Sequence, residues 1–157
     1  MALSRIRINP IGVVKSTFTA DSGDKWSTIA ELVLDGSYVE GLDGIEGYSH
    51  IIVLFWMDKI VAEDRAIMKI HPRGRDDLPE VGVFATRGRT RPNPIGLTVV
   101  ELLGRDGNTL KVRGLDAFHG SQILDIKPYD NYDVKQGIHV PDWWLKMTGQ
   151  KHGKHKE

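Results

Sequence analysis

Phe84-Ala-Thr-Arg-Gly-Arg-Thr-Arg-Pro-Asn-Pro-Ile-Gly-Leu-Thr98 decides how this chain is read. On the way in, Val81, Val83 and Ala85 alternate with Gly82, Phe84 and Thr86, which is the period of a strand. Ile95 to Val100 resumes an apolar strand on the far side. Between the two, Arg87, Arg89 and Arg91 recur at every second position, so on an extended backbone their guanidinium groups project from one side. Pro92 and Pro94 lock their own φ and push Arg91 and Asn93 toward extended conformations. A loop stiffened in this way presents planar donors to a carboxylate, a phosphate or a flat base at little entropic cost. A rigid turn carrying solvated arginines has the same pattern, so the stretch alone leaves both readings open.

Upstream, Ile6 to Val14 reads as a first strand interrupted at Pro10. Ser16 to Ser27 is a polar loop whose Trp26 is either a lid on the core or a stacking surface. Thr28 to Leu34 is strand-like and Asp35-Gly36 a turn. Ile51 to Met57, seven large apolar residues in succession, predicts a strand buried on both faces. It ends at Asp58-Lys59, either a solvated strand end or a place where a ligand lies over that end. Ala66 to Ile70 is a further short strand. Downstream, Val99 to Leu103 and Thr109 to Leu115 flank a turn through Gly107 and Asn108, a hairpin signal. In Ile123 to Tyr129, alternation sends Leu124 and Ile126 one way and Asp125, Lys127 and Tyr129 the other. That second triplet is either a reactive face or a solvent-facing edge. Pro141 to Met147 predicts a short C-terminal helix with proline at its start. Many short strands with frequent turn signals predict an all-β antiparallel barrel or sandwich.

Composition narrows the functions. With 157 residues and no cysteine there is no disulfide framework and no thiolate zinc site. No metal site of other spacing is read, because the tail histidines lack a third ligand. Twenty-one basic and twenty-one acidic side chains cancel, so nucleic acid would be held by a local patch and not by a global field. The expectation is a soluble cytoplasmic protein without membrane contact: one domain over residues 1–145 and a basic, flexible tail over 146–157. No Gly-rich phosphate loop, Gly-x-Ser-x-Gly or His-Glu-x-x-His occurs.

Three stretches together resemble one family. Phe84-Ala-Thr-Arg87 with Arg91-Pro-Asn-Pro-Ile-Gly-Leu97, Gly44-Ile-Glu-Gly-Tyr-Ser-His50, and Gly114-Leu-Asp116 followed by Leu124-Asp-Ile-Lys-Pro-Tyr129 are similar to the signature of the TsaA-like (TrmO-type) family, in its order, over residues 4–130. The resemblance implies a compact antiparallel β-barrel that forms a homodimer, binds S-adenosyl-L-methionine and methylates N6 of threonylcarbamoyl-adenosine beside the tRNA anticodon. Carried over by position, the cofactor pocket comprises Asp58, Lys59, Arg87, Leu97, Arg113, Gly114, Leu115 and Asp116. Asp125, Lys127 and Tyr129 form the implied catalytic face. There Asp125 or Tyr129 takes the N6 proton and Lys127 holds substrate, a contribution of about 10²–10⁴-fold in rate. Arg89, Arg91 and Asn93 are the implied contacts to the tRNA loop. The chain departs from the family where the loop Ser16 to Ser27 lacks a Pro-Arg-Gln segment, leaving Trp26 as the candidate for that side of the pocket. Two alternatives accompany this reading. One is a non-catalytic module that binds S-adenosylmethionine or a nucleotide. The other is a methyltransferase acting on a different RNA or a small molecule.

Overall fold

Val14, Leu32, Ile51, Val53, Leu110 and Ile123 carry alternate inward positions on five strands, and each is fully buried. Pleating turns the intervening residues outward, so one apolar face per strand suffices when a sheet curls on itself. The computed structural model describes residues 2–149. Its strands are β1 (Gly12–Ser16), β2 (Ile29–Leu34), β3 (His50–Trp56), β4 (Lys69–Ile70), β5 (Val81–Gly82), β6 (Ile95–Asp106), β7 (Thr109–Arg113) and β8 (Gln122–Pro128). Six of them close an antiparallel barrel in the order β1-β2-β7-β6-β3-β8, and β1 pairs with β8 to complete the ring. Short 3₁₀ segments and one short helix, α1 (Asp142–Thr148), are the remaining regular structure among the described residues.

The described residues form two compact units. One holds the chain up to Lys59 together with Pro94–Asp133, hence the whole barrel; the other holds Ile60–Asn93 and the described residues from Val134 on. In the barrel unit β6 is long enough to pair with β3 through its first half and with β7 through its second. The β6–β7 hairpin turns at Gly107, whose φ of 58° suits glycine. Gly96 is required for another reason: it faces Phe55 across the β3–β6 ladder, and the aromatic ring fills the space a Cβ would take.

Several expectations are revised. The first strand begins at Gly12, after Pro10. Trp26 is no lid: it is 61% exposed. β3 buries Ile51, Val53 and Phe55 but only half-covers Ile52, Leu54 and Trp56, because a barrel wall has one core-facing side. The strand expected over Ala66 to Ile70 is a 3₁₀ turn ending at Ala66 and a two-residue β4. α1 runs past residue 145, so the expected start of the tail falls inside it; residues 150–157 lie outside the described residues.

Candidate functional site

At one mouth of the barrel β1, β3 and β7 end while β2, β6 and β8 begin. The loop after β1, Asp58-Lys59 after β3, and the segment after β7 therefore all emerge there. Thr98 sits on the inner face of β6, in register with Val53, and is 7% exposed. Its hydroxyl donates to Asp116 Oδ1 at 2.6 Å. Lys25, from the β1–β2 loop, donates to Asp116 Oδ2 at 2.8 Å. Burial pushes the Asp116 carboxyl up, but the hydrogen bonds from Lys25 and Thr98 outweigh it and hold the group below the ordinary carboxylate range. The mouth thus contains a half-buried, ionised carboxylate with one oxygen anchored in the barrel interior.

Aromatic rings surround it. Asp24 caps the turn Lys25–Ser27 by accepting from Trp26 N at 3.0 Å, and Lys25 Nζ lies 4.4 Å from the Trp26 ring centroid. Gly114, at φ 92°, donates its N–H to Thr28 O and leaves room for the Trp26 backbone. Lys59 Nζ stands 4.1 Å over the Phe118 ring, which packs on Phe18 with centroids 5.5 Å apart. An open groove of about 330 Å³ lies at the root of the β1–β2 loop, lined by residues that include Lys15, Glu31 and His119. Among the described residues no three His, Asp or Glu side chains come together as a metal would need.

The residues expected around the cofactor are unequal in what they offer. Lys59, Gly114 and Asp116 meet in the neighbourhood just described, with Asp58 beside Lys59. Leu115 is fully buried in the core, so its side chain supports the wall. Arg113 points outward and pairs with Glu101 at 2.7 Å. Leu97 also points outward and is 46% exposed.

On β8 the expected triplet keeps one feature and loses another. Lys127 Nζ and Asp125 Oδ2 are 2.7 Å apart, so those two side chains do share a face. The expectation that strict alternation sends Leu124 and Ile126 the same way does not hold through the strand. A bulge opposite Leu54/Phe55 shifts the phase, so Ile123 and Ile126 both reach the core. Across the outer wall the register aligns Leu97, Leu54 and Asp125 in one row, and Val99, Ile52 and Lys127 in the next. Tyr129 lies beyond, its N–H bonded to His50 O and its ring edge-on to the His50 ring at 6.4 Å. Each pair of residues along a strand adds about 7 Å, so Tyr129 is toward the mouth opposite Asp116.

The arginine stretch lies in the second unit and is not extended. β5 stops at Gly82, and Val83–Ala85 forms a 3₁₀ turn. Arg91 turns back on the loop: Nη2 donates to the carbonyls of Val83 and Thr86, and Nε to that of Gly88 at 2.8 Å. The three arginines therefore do not form one row, since the third bonds carbonyls of its own loop. Arg87, Arg89 and Asn93 are exposed. In the same unit Asp77 receives a forked pair from Arg75 and a bond from Lys146, and its carboxyl is far below the usual range.

Residues 13–133 match the family model described as the tRNA-methyltransferase O N-terminal domain. The chain belongs to that family. As a member it has well-matched relatives: a probable S-adenosyl-L-methionine-binding protein of Methanothermobacter thermautotrophicus is 43% identical over 134 residues, spanning 82% of this chain and 93% of its own. An S-adenosyl-L-methionine-binding protein of Archaeoglobus fulgidus is 46% identical over 127 residues, spanning 78% and 88%. The crystal structure of TrmO from Pseudomonas aeruginosa superposes with a TM-score of 0.71 at 29% identity, covering 90% of this chain and 62% of that one. The antiparallel barrel is thus the fold of this tRNA-methyltransferase O family member.

Two of its mouth residues were not read from the sequence. Thr98 could have been found as the polar residue on the side of β6 that carries Gly96 and Val100. Lys25 is the one base among seven carboxylates between Asp21 and Glu46.

Proposed function

We propose that the chain binds S-adenosyl-L-methionine and transfers its methyl group to N6 of threonylcarbamoyl-adenosine beside the tRNA anticodon, in the cytoplasm and as a homodimer. The observation that carries this is the family match over residues 13–133. The relatives named for binding S-adenosyl-L-methionine support the cofactor, and the donor set at the mouth is of a suitable kind. Asp116 offers an ionised acceptor to a cationic ligand, and Trp26 and Phe118 offer faces to an adenine ring. When bound, the cofactor supplies a methyl group on a sulfonium, already activated toward a nucleophile.

What the chain adds is alignment and proton removal. Asp58, Lys59, Gly114 and Asp116 position the cofactor, and the buried Leu115 supports the wall behind them. Asp125 is the proposed base for the N6 proton. It shares an outer-wall row with Leu97, and Lys127 Nζ stands 2.7 Å from its Oδ2. Tyr129 lies toward the mouth opposite Asp116 and is not assigned that proton. Arg89 and Asn93 are proposed to contact the tRNA loop, while Arg91 shapes the loop that carries them. Sedimentation at low protein concentration tests the homodimer.

Labelled S-adenosylmethionine is incubated with tRNA from cells containing and lacking the threonylcarbamoyl modification. Label is expected only in the modified tRNA, and Asp125→Ala and Lys127→Ala should each lower transfer at least tenfold. Near-normal turnover in both variants would remove the catalytic assignment. Saturable binding with no transfer to any RNA would support a non-catalytic binding module instead.

A further inference from the structure

Asp116 is held at both oxygens, but its two partners differ in kind. Thr98 is a buried strand residue with no freedom to leave. Lys25 is a loop residue whose side chain is 39% exposed, and its ammonium touches that one carboxylate and the face of Trp26. The loop does not depend on it for attachment: Gly114 N–H bonds Thr28 O at 2.9 Å, and Phe18 packs on Phe118. Other acids of the mouth are differently placed. Asp24 caps a turn, and Asp58 is exposed at the strand end. Asp116 is the one with an oxygen fixed from inside the barrel.

An ammonium on a flexible four-carbon stem is the same donor as the α-ammonium of an amino acid. We propose that Lys25 is a built-in competitor at Asp116, occupying the position taken by the α-ammonium of the S-adenosylmethionine amino-acid end. The two cannot share Oδ2, because like charges so close repel. Cofactor binding therefore displaces Lys25 from Asp116. This rests on the cofactor reading above and adds which end of the cofactor meets Asp116 and what opposes it.

Calorimetric titration of the full chain and of Lys25→Met uses three probes: S-adenosylmethionine, S-adenosylhomocysteine and 5′-methylthioadenosine. The second lacks the sulfonium charge, and the third lacks the amino-acid end. Loss of the competing ammonium should tighten the first two about three- to fivefold, the worth of a partly exposed ion pair, and leave the third unchanged. Lys25→Arg keeps an ion pair and, by bidentate geometry, should weaken binding of the first two. Unchanged or weaker binding of S-adenosylhomocysteine by Lys25→Met overturns the proposal. So does equal tightening of 5′-methylthioadenosine, which would place the nucleoside at Asp116. A wild-type chain that binds none of the probes overturns the cofactor reading and this inference with it, an outcome distinct from the other two.

Discussion

Thr98→Val removes the hydroxyl that anchors Asp116 while keeping the shape of a buried residue, so its effect isolates one hydrogen bond. A bond to an ionised acceptor is worth about 1.5–3 kcal/mol. The Asp116 side chain is 27% exposed, and water partly replaces what is lost. The expected loss at pH 7 is therefore about 1–2 kcal/mol, or a fall in Tm of roughly 3–6 °C for a domain of this size. The pH dependence follows from the lowered carboxyl. Its folded-state pKa lies below its unfolded value, so the stabilisation is fully present above the unfolded value of about 3.9 and is lost as pH falls through the folded one. Without Thr98 less of that lowering remains, so the gap between wild type and variant should be wide at pH 7 and narrow at pH 3. Urea unfolding at the two pH values measures it. Equal gaps at both, or a variant within about 0.3 kcal/mol of wild type at pH 7, would show that the buried hydroxyl does not hold the carboxylate.

Two further substitutions test the framework around the site. Gly96→Ala places a methyl group where the Phe55 ring lies and should cost about 1–3 kcal/mol; Phe55→Leu in the same chain should recover part of that loss, and strictly additive losses would refute the contact. Arg91→Lys replaces a planar fork serving three carbonyls by one ammonium. Amide exchange over residues 84–91 and tryptic cleavage at Arg87 and Arg89 should both speed up several-fold, and unchanged protection would mean that the loop is held by its prolines alone.

Much of the barrel is written locally. The apolar alternation in β1, β2 and β7 and the run from Ile51 to Trp56 specify strands, and glycine marks the hairpin turn at Gly107. Short-range chemistry also places Asp58-Lys59 at a strand end, and puts Asp125 and Lys127 on one face. The family resemblance made Asp116 a candidate. Other features do not follow from period: the bulge that brings Ile123 and Ile126 inward, the turn at Val83–Ala85 that ends β5, and the exposure of Trp26. Each depends on what a neighbouring strand or loop supplies, and a one-residue slip in pairing reverses which side chains face the core.

The sequence by itself determined that the chain is strand-rich, that the segments on either side of Gly107 form a hairpin, and that Asp58-Lys59 ends a strand, because these follow from backbone sterics, turn chemistry and two-residue periodicity. Only the tertiary structure decided that Lys25 and Thr98, 73 residues apart, meet on opposite oxygens of Asp116, and that Arg91 bonds its own loop. Closing a sheet into a ring sets such encounters through the register of non-adjacent strands, and no local pattern encodes that register.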